Sequence, residues 1–182
     1  MRRDGQATIV IEIPNPQVLD AARQYREGFC LLIRQPPGSG VLLPTLHCAA
    51  IALELYLKAL SAHEVEVPDT GPVGGAYIYA RSPSKSHRLE DLFDQAPDDV
   101  RERIEKASGH VPGLKRFSGI REAFEAYTPM FVASRYPFEP DRRFDGIDIG
   151  TLDELLQLLD SVCKSIHRFV LTETETPVEG NA

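Results

Sequence analysis

Between Pro44 and Leu60 the chain reads PTLHCAAIALELYLKAL, a stretch with almost no broad side that could face water. Leu46, Ala49, Ala50, Leu53, Leu57 and Leu60 recur at three- and four-residue steps, the period of one helical face, and Ile51, Ala52, Leu55 and Ala59 make most of the remaining circumference apolar too. A helix apolar nearly all round must be enclosed by other elements, so the pattern predicts the central helix of an antiparallel bundle. Only a narrow strip is polar. Glu54 and Lys58 stand four apart in the favourable order for a helical ion pair, read here as a solvated pair, while His47 and Tyr56 read as core-edge groups and not as ligands.

The flanking sequence supplies the companions. Ala7 to Ile13 is a β-branched run suited to a short strand, and Asn15-Pro16 combines an N-cap with a first-turn proline, opening a helix to about Arg34. The QPPGSG loop at 35–40 turns the chain back into the central helix, so the two should pack antiparallel. From Ser61 to Ser86 proline and glycine dominate, with one apolar island, AYIYA at 76–80, placed to pair with the N-terminal strand as a ribbon. Ser86 or His87 caps a short helix with Leu89, Leu92 and Phe93 inward, and Pro97 opens another that ends at Gly109. A third major helix starts near Phe117 and should break at Pro129. Thr151 with Glu154 has the spacing of a capping box and launches a last helix whose apolar face runs from Leu152 through Ile166 to Phe169. Thr172 to Ala182 is polar, acidic and aperiodic, a frayed tail. The expected fold is all-α: an antiparallel four- to five-helix up-down bundle over residues 1–171, with short helical insertions and room for a minor two-stranded β ribbon.

Composition excludes several functions. A chain of 182 residues with net charge -7 is not built to hold nucleic acid over its whole surface, although a local basic groove is compatible with that total. Cys30, Cys48 and Cys163 are odd in number and scattered, as expected of small buried hydrophobes in a reducing compartment. The start of the chain lacks the apolar core of a signal peptide and no apolar run reaches spanning length, so the expected location is the cytosol, with no membrane. His63 and His167 join no cluster with metal-ligand spacing, and phosphate loop, dinucleotide fingerprint and nucleophile elbow are all missing, so neither metal nor cofactor is expected.

Three segments in register carry a family resemblance. AIALELYLKAL at 50–60, SHRLEDLF at 86–93 and SRYPFE at 134–139, followed by a final amphipathic helix, resemble the HEPN domain, whose members show an apolar helix ending in Glu and Lys, a His-x-Leu turn and an Arg-Tyr-Pro turn. The resemblance covers roughly Asn15 to Leu171. It implies a helical bundle that dimerises, often encoded beside a minimal nucleotidyltransferase-type partner in toxin-antitoxin or defence systems. Many relatives are metal-independent endoribonucleases with Arg, four to six residues, then His near the last helices. In that chemistry histidine moves a proton and arginine holds the phosphate as charge grows.

This chain departs from that signature. Arg81 and His87 have the spacing, as do Arg103 and His110, but both pairs precede the Arg-Tyr-Pro turn, and Arg103 with His110 reads as chance spacing across a helix end. Neither His167 nor Arg135 has a partner at the required distance. By position the chain resembles the branch carrying Arg-Tyr-Pro without the ribonuclease pair, which implies a binding or partner-regulating module contacting RNA, nucleotide or an acidic partner. The candidate ligand-binding residues are Arg81, Lys85, His87, Arg88 and Arg135, a positive patch in an acidic protein. Against that, His87 can serve as a cap, and Arg135 can anchor its own turn. The alternative is a metal-independent ribonuclease using Arg81 and His87.

Overall fold

The computed structural model describes residues 9–68, 76–139, 147–166 and 168–172. Its centre is the helix α2 (Leu42–Ala59), with α1 (Pro16–Leu32) ahead of it in the chain. Leu46, Ala49, Ala52, Leu53, Tyr56, Leu57 and Ala59 of α2 are all buried and take up about half of its circumference, while Cys48, Ile51 and Leu55 on the other side are partly buried. Tyr56, expected at the core edge, is fully enclosed. By length and composition α2 could cross a bilayer; here it is the packed rod of a mostly helical fold. α1 lies along it, and α3 (Leu89–Asp94), α6 (Met130–Arg135) and α7 (Ile149–Ser165) cover its other sides. Two further helices, α4 (Asp98–Ser108) and α5 (Ile120–Tyr127), pack on α7 and α3 respectively.

The caps follow from side-chain chemistry. Asn15 accepts from the Val18 amide and Pro16 occupies the first turn of α1, as expected. α7 begins earlier than the capping-box spacing suggests: Asp148 is its cap, accepting from the amides of Gly150 and Thr151, while Glu154 accepts instead from the Gly113 amide. α3 is capped at Arg88 and not at Ser86 or His87. The third major helix is shorter than predicted, because a 3-10 turn over Pro112–Arg116 precedes α5; Pro129 then separates α5 from α6.

The ribbon proves to be a four-stranded antiparallel sheet, with β1 (Ile9–Ile13), β2 (His63–Pro68), β3 (Ala76–Arg81) and β4 (Arg168–Thr172) in the order β3-β2-β1-β4. β1 and β3 do not pair; β2 lies between them. The last helix ends at Ser165, four residues short of Phe169. Residues 168–172 read RFVLT, aromatic and β-branched, and Phe169 stands in phase with both the helical stripe and a strand. Because β1 leads into α1, β2 follows α2 and β4 follows α7, the sheet sits where one long helix begins and two end. Residues 7–8, His167 and 173–182, all named above, lie outside the described residues.

A buried carboxylate joins the first and last long helices. Asp160 of α7 accepts from Arg23 Nε at 3.0 Å and Arg26 Nη1 at 3.2 Å, and meets Lys164 Nζ at 2.6 Å. Burial works to raise this carboxyl, but Lys164 and Arg23 outweigh it and hold the group below the usual carboxylate range.

Candidate ligand-binding site

One stripe of α2 carries His47, Ile51, Glu54 and Lys58, and the short α6 lies against α2 with Phe131, Ser134 and Arg135 at three- and four-residue steps. The third contributor is the 82–88 loop, shaped by its alternating serines. Ser82 Oγ accepts from the Ser84 amide, Ser84 Oγ from the Ser86 amide, and Ser86 Oγ from the Arg88 amide while donating to Asp91. Thr128, at the α5–α6 junction, locks this loop down. Its hydroxyl accepts from the Leu89 amide at 2.9 Å and donates to buried Glu90, which also takes Arg88 Nε at 2.7 Å. Burial works to raise the Glu90 carboxyl, but Thr128, its own amide and Arg88 hold it below the usual range.

The result sets His87 between α2 and α6. Its Nδ1 lies 3.0 Å from Glu54 Oε1, and its ring is stacked on Phe131 with centroids 5.7 Å apart and planes within 6°. Lys58 Nζ reaches the same Glu54 oxygen at 2.6 Å, so the pair expected to be solvated is mostly shielded, its side chains only 15% and 10% exposed. A carboxylate only accepts, so His87 Nδ1 carries the proton and Nε2 is left without one. His47 is arranged in the same way. Ser134 Oγ donates to the Phe131 carbonyl at 3.1 Å, so at 3.0 Å it accepts from His47 Nδ1, again leaving Nε2 over. Burial, and then the charge of Arg135, push the His47 imidazole below its ordinary value and keep it neutral at neutral pH.

Arg135 completes the cluster, its guanidinium 5.3 Å from the Phe131 ring centre and 5.4 Å from that of Tyr136. Among the described residues no carboxylate pairs with it. Beyond it Tyr136 and Phe138 meet edge to face at 6.2 Å, and Phe138 is 80% exposed. Among the described residues no three His, Cys, Asp or Glu side chains gather as metal ligands. A cleft elsewhere, lined by Leu32, Pro36, Val41, Leu42 and Ile149 at the α1–α2 turn, has no titratable group in its lining.

Of the residues singled out from sequence, His87 and Arg135 converge on Phe131. Arg88 turns away to Glu90 and Asp91. Arg81 ends β3 opposite His63 of β2, Lys85 is exposed on the loop, and among the described residues no hydrogen bond or ion pair joins either to the cluster. Arg103 and His110 are exposed at α4 and just past its end. His47, Ser134 and Phe131 were missed as site residues, and Glu54 with Lys58 was seen only as a helical pair; the i, i+7 spacing of His47 and Glu54 was the available signal.

Comparison with protein-family models, with curated proteins and with solved structures yields no match to this chain.

Proposed function

We propose that this chain is a HEPN-like binding or partner-regulating module that takes a phosphate-bearing ligand, RNA or nucleotide, on the α2–α6 face. One observation carries the reading. Two histidines commit Nδ1 to the protein and leave Nε2 over, and one of them, His87, shares the Phe131 ring with Arg135, which pairs with no carboxylate among the described residues. Arginine suits phosphate because its planar fork matches two oxygens, an unprotonated imidazole Nε2 can accept from a ribose hydroxyl, and exposed Tyr136 and Phe138 offer rings on which a base can stack. In keeping with the resemblance, the module works in the cytoplasm as a homodimer beside a nucleotidyltransferase-type partner in a toxin-antitoxin or defence setting.

The test is fluorescence anisotropy with a labelled single-stranded RNA. Binding should weaken as salt rises, and Arg135→Ala and His87→Ala should each weaken it about tenfold, the equivalent of one hydrogen bond. Arg101→Ala, on α4, should change nothing. Equal affinity for all four proteins, or no binding at low salt, would rule the site out.

A second reading rests on the His87–Glu54 pair, which has the form of a base with its orienting carboxylate. In it the chain cleaves RNA without metal, with His87 moving the 2'-hydroxyl proton. In this reading Arg135, which shares the Phe131 ring with His87, takes the phosphate-holding role in place of Arg81. Incubation with RNA in chelator separates the two readings: cleavage lost in both His87→Ala and Arg135→Ala favours catalysis, while intact RNA favours binding alone.

A further inference from the structure

β3 is an outer strand of the sheet, and among the described residues β2 is the only element it packs against extensively. Its Ile78 and Tyr79 are 54% and 39% exposed. Edge strands in native proteins are guarded against further pairing by charge, proline or a bulge, since their outward amide and carbonyl groups template another strand. From Ala76 to Ala80 this edge has no charge, no proline and no glycine.

The same five residues, Ala-Tyr-Ile-Tyr-Ala, read identically in both directions. In an antiparallel pair built on a two-fold axis, residue numbers across each rung sum to a constant. Centred on Ile78, that rule sets Ile78 opposite the partner's Ile78, Tyr77 opposite the partner's Tyr79 and Ala76 opposite the partner's Ala80. Like size meets like size at every rung. The palindrome itself carries no charge, so no cation faces a cation across it. A strand from an unrelated protein would gain nothing from this symmetry, which selects a second copy.

We propose that β3 is a self-complementary edge through which two copies of this chain join, doubling the four-stranded sheet into one continuous antiparallel sheet. The proposal stands on the strand alone and is independent of the ligand reading. Five residues separate β3 from His87, so the pairing also ties two α2–α6 faces into one assembly.

A two-strand contact is at the small end of specific interfaces, so the dimer should dissociate in the micromolar range, and sedimentation is run at loadings on both sides of it. The wild-type mass should rise with loading toward twice the 20.2 kDa of the chain. Ile78→Lys and Ile78→Glu each set a charge against its own copy across the axis and should stay monomeric with unchanged circular dichroism, while their equimolar mixture regains the dimer mass. In an independent arm, Ile78→Cys should form a cross-linked dimer on mild oxidation, because opposed residues of paired strands lie within disulfide reach. Leu31→Cys, exposed on α1, and the parent chain should not. A wild type monomeric at every loading, single charge variants that still dimerise, or an Ile78→Cys cross-link no stronger than the Leu31 control would each overturn the proposal. Should the charge variants unfold, the cross-link decides.

Discussion

At the scale of single residues, the fate of one nitrogen decides what each histidine can do. His47 gives Nδ1 to Ser134, sits half-buried and feels Arg135, so the folded protein resists protonating it. The unfolded chain has no such resistance and takes up the proton as pH falls below about 6.5. A depressed imidazole therefore contributes stability that is present above that value and lost as pH falls through the folded one. His47→Asn keeps a donor for Ser134 but cannot titrate. Its melting temperature should fall less than that of wild type between about pH 7.5 and pH 5, and equal falls would clear His47 of the role. Sequence showed half of this site. Glu54 and Lys58 were legible as a pair because helical neighbours are local, yet their shielding depends on His87, 33 positions away. His47 was legible only as a polar group on a helix, since Ser134 lies 87 positions distant.

Among the elements, helix starts were the most readable and strands the least. The Asn15-Pro16 start was clear because a cap acts on its own next turn. Asn15 is also fully buried, its amide donating to the Ala59 carbonyl at 2.7 Å, so the start of α1 is pinned to the end of α2. Asn15→Ala should therefore cost about 1–2 kcal/mol in urea denaturation, toward the upper end of cap losses; a change within error of zero would show that the amide bond alone holds this corner. β2 was hidden for a different reason. HEVEVP has the alternation of a strand, but it is short and closely followed by proline and glycine, so the surrounding composition read as loop. β4 was absorbed into the preceding helix because Ile166 and Phe169 satisfy a three-residue step as well as a strand.

For the molecule as a whole, Asp160 is the only buried acid among the described residues seen to join the first long helix to the last. Arg23 and Arg26 both reach it from α1. Asp160→Asn keeps the shape and removes the charge, and should destabilise the protein by about 2 kcal/mol at neutral pH in chemical denaturation. The carboxyl is depressed, so its contribution is present above the unfolded value of 3.8 and disappears as pH falls through the lower folded one. The gap between variant and wild type should accordingly hold from neutral pH to about pH 4 and close only below it; a gap that closes earlier would point to a different group.

The ladder between β1 and β4 sets Ile9 against Thr172 and Ile13 against Arg168, so both strands run away from the helices toward the same end. Force applied beyond Ile9 and beyond Thr172 therefore meets the rungs one at a time, as in opening a zip, and never as a set sheared together. Under tension that seam parts first, and the enclosed rod is reached only after α1 and α7 have been drawn off it.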